Sequence, residues 1–389
     1  MRVDIVERDV YQDEHSDFAE SVAAFLRQTV TPRIGEFEKA GMIDRDVYRA
    51  AGELGIVGLQ IPEEFGGGGQ DGFLFNCVVT EQVAYERSTM GSLRVHTDVV
   101  TPYVLSLATS DQRQRWLPGM ANGELMTSIA MTEPGAGSDL AGIRTSLDRR
   151  GSDWVLNGSK TFITGGAQSD LVIVVARSEA AENRRHGLTL AVVEASTPGF
   201  SRGAPLEKLG LKAQDTTELF FDDVVVPADN ILGEPGRAFT YLSSHLAQER
   251  LSIAVNSQAQ ALAALAVTCE YVRDRKVFGT TLGTFQNTKF VLADLATRVS
   301  AGQALVDRAM GRHERGRLDP AEAAKVKLFC TELHGAVVDA CLQLHGGYGY
   351  TWEQDICRMY ADARVARIYG GTSEVMKGIV ARTLNLVDR

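Results

Sequence analysis

The chain has 389 residues and a mass of 42.2 kDa, of which 44% are hydrophobic and 23% charged. This length predicts two or three domains, since a domain commonly holds about 150 residues. The 40 basic and 50 acidic residues give a net charge of −10. An acidic chain disfavours nucleic acid or an anionic membrane as the main partner, because both attract basic surfaces.

The five cysteines are widely spaced and form no Cys-x-x-Cys pair. This pattern predicts reduced thiols and no metal site. The first residues are polar and acidic, without the apolar core of a signal peptide, so we expect a cytoplasmic protein. We also expect no membrane insertion, since no stretch approaches the roughly 18 uncharged apolar residues of a membrane span.

Residues 1–124 are predicted to form an all-helical domain. Ser16 or Asp17 is expected to cap a first helix whose apolar residues recur at helical spacing, namely Phe18, Val22, Phe25 and Leu26. A run of four glycines at 66–69 lacks the Lys-Ser/Thr of a phosphate-binding P-loop. A flexible surface loop is therefore expected there.

Residues 125–237 are predicted to form a β domain. The segment 155–162 indicates a hairpin with Asn157-Gly158 at its turn. Three β-branched, apolar runs have the length of strands, at 171–176, 188–193 and 219–226. Because no helices alternate with them, they favour an antiparallel sheet or barrel over a doubly wound fold. The same lack of βαβ context argues that the glycines at 135 and 137 are no dinucleotide fingerprint.

Residues 238–389 are predicted to form a helical bundle. One helix carries apolar residues at helical spacing, namely Val291, Leu295, Val299, Val306 and Met310. A second is expected to have Asp319 as N-cap and Pro320 in its first turn, and to stop at Gly346-Gly347. The fold class is therefore α+β multidomain, with a helical domain on each side of a β domain.

Five polar, glycine-rich segments interrupt these regular elements, at 130–139, 160–164, 275–279, 343–349 and 368–374. Their order and spacing resemble the acyl-CoA dehydrogenase family from near residue 15 to the C-terminus. The residues at 129–132 and 369–372 look most like the long-chain acyl-CoA dehydrogenase branch.

The resemblance implies an N-terminal helical domain, a middle antiparallel β-barrel-like domain and a C-terminal four-helix bundle. It implies FAD, held non-covalently between the β domain and the bundle, and an acyl-CoA substrate. It also implies a homotetramer, in which a neighbouring subunit completes each FAD site, and electron transfer to an electron-transfer flavoprotein. Fatty acid β-oxidation is the metabolism implied.

Residues at the flavin ring follow from the same resemblance. Met131 packs on the ring and Thr132 hydrogen-bonds its edge, while Ser138 meets substrate or the FAD phosphates. Phe162, where the family often has tryptophan, covers one ring face, and Thr164 lies near N5. From the residues alone, ordinary strand core is the favoured explanation for Met131 and Phe162.

The other end of FAD is expected to bind a second set of residues. The resemblance assigns Arg275, Phe278 and Gln286 to the adenine, ribose and phosphate groups of the neighbouring subunit's FAD, and arginine suits pyrophosphate because its planar fork donates two hydrogen bonds. The resemblance also assigns to FAD, without a particular end, Gln343, Gly346, Gly347, Thr372 and Glu374. The helix start at Thr372 would offer N–H groups to a flavin oxygen or a phosphate. Thr372 is also predicted to cap the final helix. A solvated Arg275-Lys276 pair and an ordinary Gly-Gly-Thr helix start are the alternatives.

The catalytic base is the position where this chain departs from the common pattern. Many family members have a glutamate directly after the tyrosine of the last motif, where this chain has Gly370. The long-chain and isovaleryl-CoA branches place the base on a bundle helix before an arginine. The match here is Glu249, with Arg250 orienting it, although Glu249 alone could be a solvated helix residue.

The reaction implied is α,β-dehydrogenation to the trans-2-enoyl-CoA, with proton removal by Glu249 and hydride transfer to flavin N5. The backbone N–H of Gly370 is expected to hold the thioester oxygen together with a flavin hydroxyl. Arg250, Ser138 and Gly371 are assigned to the substrate. An apolar pocket would raise the pKa of the base. The alternatives are an acyl-CoA oxidase or flavin monooxygenase-like enzyme, and a non-catalytic flavin- or acyl-CoA-binding protein.

Overall fold

The structure of the chain, a computed structural model, describes residues 8–179 and 185–386. Helices fill the first and last parts of the described chain, and the middle part forms a sheet. This arrangement confirms the predicted α+β organisation. The N-terminal helices are α1 (Asp13–Phe25), α2 (Ile34–Ala40), α3 (Arg45–Glu53), α4 (Leu74–Tyr85), α5 (Thr101–Leu107) and α6 (Ser110–Ala121).

The first helix begins earlier than the sequence predicts. Its N-cap is Gln12, whose backbone N–H donates a hydrogen bond to Nδ1 of His15 at 3.2 Å, so the predicted cap at Ser16 or Asp17 is wrong. Those two residues lie inside the helix, because the acidic pair Asp13 and Glu14 already suits the positive end of the helix dipole. The predicted apolar face is confirmed by burial of Val22, Phe25 and Leu26 with Phe18 packed beside them.

The glycine run at 66–69 is a loop, but it is held in place. The N–H of Gly68 donates to the carbonyl of Gly58 at 3.0 Å, and that of Gly69 donates to Ile61 at 2.9 Å. A Cβ on Gly67 would collide with the carbonyl of Ile61. The glycines therefore let this loop pack closely on the 58–61 segment, and the expectation of a flexible loop is wrong.

The middle part forms an eight-stranded, predominantly antiparallel sheet in which the strands follow the order β6-β7-β3-β2-β4-β5-β8. The eighth strand, β1, pairs in parallel with β4, and β2 makes one parallel pairing with it as well. The strands are β1 (Thr127–Ala130), β2 (Ser146–Arg150), β3 (Asp153–Thr164), β4 (Leu171–Arg177), β5 (Leu188–Glu194), β6 (Phe200–Arg202), β7 (Thr216–Val226) and β8 (Ile231–Leu232). The three predicted apolar runs coincide with β4, β5 and β7.

The hairpin predicted at 155–162 is wrong. Asn157 and Gly158 lie inside the continuous strand β3, and the chain turns before it, at 151–152. The pair forms a bulge instead, because Gly158 adopts a φ of +144° and the side chain of Asn157 bonds Asp223 on β7.

Long helices form the C-terminal part, as predicted. They are α7 (Ala238–Asp274), α8 (Gln286–Glu314), α9 (Pro320–His345), α10 (Asp355–Ala363) and α11 (Ser373–Arg382). The side chain of Asp319 accepts hydrogen bonds from the N–H groups of Ala321 and Glu322, which confirms the predicted cap of α9. Gly346, at a φ of +59°, ends that helix as expected.

Helix α7 is the one described helix that is long and apolar enough to span a membrane, judged by length and composition only. The expectation that no stretch resembles a membrane span did not take into account the alanine-rich centre of α7. In the fold, 72% of its most apolar window is buried, against α4, α8 and α9. This burial is typical of the core helix of a bundle.

Candidate active site

Glu249 lies on the buried face of α7 and has only 8% of its surface exposed. The hydroxyl of Tyr103, from α5, donates a hydrogen bond to Oε1 of Glu249 at 3.0 Å. Burial raises the pKa of Glu249 to about 7, although the Tyr103 hydrogen bond and the charge of Arg250 act in the opposite direction. A carboxyl group that titrates near neutrality is suited to general base catalysis.

The turn at Gly370 packs against the same face of α7. A Cβ on Gly370 would collide with Cδ1 of Ile253, four residues after Glu249, and residues at this spacing are neighbours on a helix surface. Gly370 also adopts a φ of +64°, which side chains of L-residues disfavour. Its backbone therefore approaches the wall that carries Glu249, in a conformation that favours glycine.

Lys327, on α9, fixes this turn from behind. Its Nζ donates hydrogen bonds to the carbonyl oxygens of Gly371 at 2.6 Å and Ala366 at 3.2 Å. Burial, together with the nearby charge of Arg250, lowers the pKa of Lys327 to about 8. No role was predicted for Lys327 from the sequence, although a lysine within the buried stripe of α9 is unusual and indicates a specific role.

Arg250 is buried beside the base. Within the described chain its Nε has no hydrogen-bond partner, and Tyr103 is the side chain that donates to Glu249. Burial lowers the pKa of Arg250. The residue that orients Glu249 is therefore Tyr103, where the sequence predicted Arg250. No local sequence signal marks Tyr103.

Four residues predicted to contact the flavin ring adjoin one another in the β domain. The N–H of Thr161 donates to the carbonyl of Thr132 at 2.9 Å, which joins the 131–132 segment to the one that contains Phe162 and Thr164. Met131 is half-buried against the core. Ser138 is exposed in the turn that follows.

Phe162 differs from an ordinary core residue of a strand. It is 67% exposed and adopts a φ of +57°, and a bulky residue in this conformation is a strained outlier typical of functional sites. Below it, Nζ of Lys160 donates to the carbonyl of Met131 at 3.0 Å and to Oε1 of Glu133 at 2.8 Å. This buried ion pair fixes the 131–133 segment, and sequence reasoning did not predict it.

A cavity of about 90 Å³ is lined by residues of the N-terminal helices, the β domain and the bundle. Tyr369, directly before Gly370, lines it, and so does Gln214, whose Nε2 lies 3.4 Å from Oγ1 of Thr164. The cavity therefore borders chain neighbours of both groups, whereas Glu249 and Phe162 are not among its lining residues.

The predicted phosphate-end residues form a second, separate group. A cavity of about 460 Å³ is lined by Arg275, Gln343, Gly346 and Gly347, and the guanidinium of Arg275 stacks 5.1 Å from the ring centre of Tyr348. No atom lies within 4 Å of a Cβ built on either glycine, so the two form an open cradle. Arg275 is itself exposed, which leaves its charge available to a ligand.

Phe278 and Gln286 lie close to this second group in the chain. Phe278 is 96% exposed, adopts a φ of +49° and contacts Phe285 edge-on, next to Gln286 at the exposed start of α8. An almost fully exposed phenylalanine at positive φ is costly unless another molecule covers it.

The two groups lie far apart along α7. Glu249 and the end of that helix at Asp274 are separated by about 40 Å, at a rise of about 1.5 Å per residue. The two groups of one chain therefore cannot contact the same end of one ligand molecule.

The final helix begins as predicted. Oγ1 of Thr372 accepts a hydrogen bond from the N–H of Val375 at 3.3 Å, which makes it the N-cap of α11. Glu374 is exposed in the first turn, and its own backbone N–H and the Thr372 side chain lower its pKa. The free N–H groups of this turn and the ionised Glu374 are open to a ligand.

These features fit FAD. The open glycine cradle with Arg275 suits phosphates, and the exposed, strained Phe162 beside Thr132 and Thr164 suits a flat ring with polar edges. Within residues 8–179 and 185–386, no group of three His, Cys, Asp or Glu side chains is arranged to hold a metal ion.

Comparison with known proteins agrees with this geometry. Family models match three consecutive parts of the chain: the acyl-CoA dehydrogenase N-terminal domain at 12–124, the middle domain at 128–224 and the C-terminal domain at 236–385. The mitochondrial long-chain specific acyl-CoA dehydrogenase of Mus musculus is 45% identical over 98% of this chain and 89% of its own length.

Solved structures give the same result. A crystal structure of acyl-CoA dehydrogenase from Geobacillus kaustophilus is 42% identical, covers 98% of this chain and 100% of that chain, and superposes with a TM-score of 0.96. A glutaryl-CoA dehydrogenase from Mycobacterium smegmatis, solved in complex with FADH2, is 26% identical, with coverage of 97% and 95% and a TM-score of 0.89. The chain belongs to the acyl-CoA dehydrogenase family of FAD-dependent oxidoreductases, which includes flavoproteins of fatty acid β-oxidation.

Proposed function

We propose that this enzyme converts an acyl-CoA thioester to its trans-2-enoyl-CoA, with Glu249 as the base that removes the α-proton. The observation that carries the proposal is the buried Glu249 carboxyl, with a pKa near 7, on the helix face against which the Gly370 turn packs. FAD, when bound, supplies the acceptor for the two electrons and the second hydrogen.

The chain itself supplies three functions in this reaction. Oε2 of Glu249 is free to accept the α-proton, since Tyr103 hydrogen-bonds Oε1. The N–H of Gly370 makes no hydrogen bond within the described chain, so it is available to the thioester oxygen, where negative charge develops. Lys327 keeps that turn in place through the adjoining carbonyl of Gly371.

The test is anaerobic mixing of the holoenzyme with saturated acyl-CoAs. Flavin absorbance should bleach with the wild type and with Glu270→Gln, a control at the far end of α7, and should persist with Glu249→Gln. Bleaching of Glu249→Gln at the wild-type rate would refute the assignment of the base. Persistent colour in the wild type with every thioester would support a non-catalytic binding protein instead.

A relocated base gives a second test. The double variant Glu249→Gly/Gly370→Glu should recover only weak bleaching, because the new side chain must displace Cδ1 of Ile253. Adding Ile253→Ala opens that space and should increase the bleaching, although the positive φ at 370 still costs about 1–3 kcal/mol. Equal activity with and without Ile253→Ala would contradict the packing argument.

The proposal extends to the assembly and the electron acceptor. Separation of the Arg275 cavity from Glu249 along α7 supports a homotetramer in which each FAD is completed by a neighbouring subunit. Arg275→Glu should then lower FAD content while Glu249→Gln does not.

An electron-transfer flavoprotein as acceptor predicts dye or flavoprotein reduction without peroxide in air, whereas an oxidase would form peroxide. The cytoplasmic location remains a prediction, which cell fractionation tests.

A further inference from the structure

The face of α7 that carries the base continues as a polar stripe. Ser252, Asn256 and Gln260 follow Glu249 at the third, seventh and eleventh positions, a spacing that places them along one side of a helix. Ser252 is buried, and Asn256 and Gln260 are half-buried and line the cavity of about 90 Å³. A pocket for a plain hydrocarbon chain would be expected to present apolar residues at these positions.

Arg94 contacts both walls of this space. Its Nη1 lies 3.3 Å from the carbonyl oxygen and 3.4 Å from Oγ of Ser252, and its Nη2 lies 3.5 Å from the hydroxyl of Tyr369. Ser252 is one helical turn beyond Glu249, and Tyr369 directly precedes Gly370. Arg94 therefore lies beside the space that the reacting acyl chain would occupy and lines the same cavity.

The positive charge of Arg94 is balanced only indirectly. Buried Asp98 accepts hydrogen bonds from Oγ of Ser252 at 2.5 Å, from Asn76 at 3.0 Å and from Thr97 at 2.8 Å. Within the described chain, no carboxylate oxygen lies within 4.0 Å of the Arg94 guanidinium. Since guanidinium carries five N–H donors and the contacts observed are long, Arg94 keeps donors for a ligand.

A second observation points to a polar occupant. His334 lines the same cavity, is 3% exposed, and neither ring nitrogen has a hydrogen-bond partner within the described chain. Buried polar groups are ordinarily paired, and an unpaired one costs free energy. Burial and the charge of Arg367 lower the pKa of His334 to about 3, so its neutral ring has one donor and one acceptor to offer.

We propose that the acyl chain accepted by this enzyme carries an oxygen function beyond its β carbon, an oxo, hydroxyl or carboxyl group, which Arg94 binds with Asn256 and His334 beside it. This inference rests on the proposed dehydrogenation and names its substrate class. The shared chemistry is a hydrogen-bond acceptor oxygen. A plain chain in the same place would leave His334 without a hydrogen-bond partner and Arg94 with its long contacts alone, which disfavours it.

The experiment compares CoA thioesters of equal chain length on the holoenzyme: octanoyl-CoA, its 5-oxo and 5-hydroxy derivatives, and suberoyl-CoA. At least one oxygenated thioester should have a kcat/KM about ten-fold or more above that of octanoyl-CoA. Arg94→Leu should lower kcat/KM for that thioester by roughly ten- to a hundred-fold more than it lowers kcat/KM for octanoyl-CoA, the range of a charged hydrogen bond. Preference for suberoyl-CoA identifies a carboxylate, and preference for the others a neutral oxygen.

Two further variants guard against a folding defect. Asn256→Leu leaves the Arg94–Ser252–Asp98 contacts intact and should shift the preference in the same direction by a smaller factor. Arg49→Leu, which removes an exposed arginine from α3, should change nothing. Binding of the same thioesters to Glu249→Gln, followed by calorimetry, should give the same order of affinity without any turnover.

The outcomes separate this inference from the proposed function. If octanoyl-CoA is the best substrate and the ratios are unchanged in Arg94→Leu and Asn256→Leu, this inference is refuted and the dehydrogenation stands. If no thioester bleaches the wild-type flavin, the proposed dehydrogenation fails and this inference fails with it.

Discussion

Replacing Tyr103 by phenylalanine tests how the base is tuned. The Tyr103 hydroxyl donates to Glu249 Oε1 at 3.0 Å and stabilises the ionised carboxylate, whereas burial raises the pKa of Glu249 to about 7. A hydrogen bond to a charged group contributes about 1.5–3 kcal/mol, and one pH unit corresponds to about 1.4 kcal/mol. Tyr103→Phe should therefore raise the pKa of Glu249 by about one to two pH units.

The sign of the activity change follows from the role of the base. Glu249 acts in its ionised form, so kcat/KM should rise with pH through about 7 in the wild type and reach a plateau above it. In Tyr103→Phe the same rise should lie near pH 8–9, with activity at pH 7 reduced about five- to fifty-fold and the plateau nearly kept. Phenylalanine retains the ring that contacts His245 at 4.3 Å, so the hydroxyl alone is removed.

The assay is kcat/KM by dye reduction between pH 5 and pH 10, on holoenzyme of equal flavin content. Tyr241→Phe is the control, because this tyrosine lies on α7 with Glu249 and its hydroxyl accepts a hydrogen bond from the backbone N–H of Glu234 instead. A midpoint that stays at its wild-type pH, or that moves to lower pH, would show that Tyr103 does not stabilise the charge on the base.

Three further predictions concern buried charges. The folded-state pKa of Glu249, about 7, exceeds its ordinary value of 4.5, so the folded state loses stability as pH rises between these two values. Glu249→Gln should therefore raise the free energy of unfolding by about 3 kcal/mol above pH 7 and should have no such effect below pH 4.5. Denaturant titration at the two pH values measures this difference. Lys327→Met should lower kcat about ten-fold with FAD content unchanged; an unchanged kcat would show that the 370–371 turn needs no support. Lys160→Met should cost about 3–5 kcal/mol of stability by leaving Glu133 unpaired, and adding Glu133→Leu should recover most of it; no recovery would mean that the pair is not the cause.

Elements with strong local signals could be predicted from the sequence. Helix α9 has a capping aspartate, a proline in its first turn, a periodic apolar stripe and a terminal glycine, and all four act within a few residues of one another. The predicted hairpin at Asn157-Gly158 is wrong because the same dipeptide occurs both in tight turns and in bulges. Pairing of β3 with β7, from far along the chain, decided between them.

The candidate site shows the same division. Its glycine-rich segments lie in contiguous motifs and could be identified, and Glu249 could be chosen because residue 370 is a glycine. Tyr103 lies on another helix, 146 residues before Glu249, and nothing near it in the sequence marks it as the donor. Such partners are specified by tertiary packing, which one sequence does not display.

The position of the base follows from the conformation of the turn opposite. The backbone at 370 holds a φ of +64° against Ile253, so a side chain there meets both strain and a collision. Residue 370 carries no carboxylate, and the proposed base, Glu249, comes from α7, a long helix fixed against its neighbours, where Tyr103 orients it. The Gly370 N–H and the Glu249 carboxylate are thus held by two independent supports, Lys327 for the turn and Tyr103 for the base. Removing either support should therefore weaken catalysis while the other group stays in place.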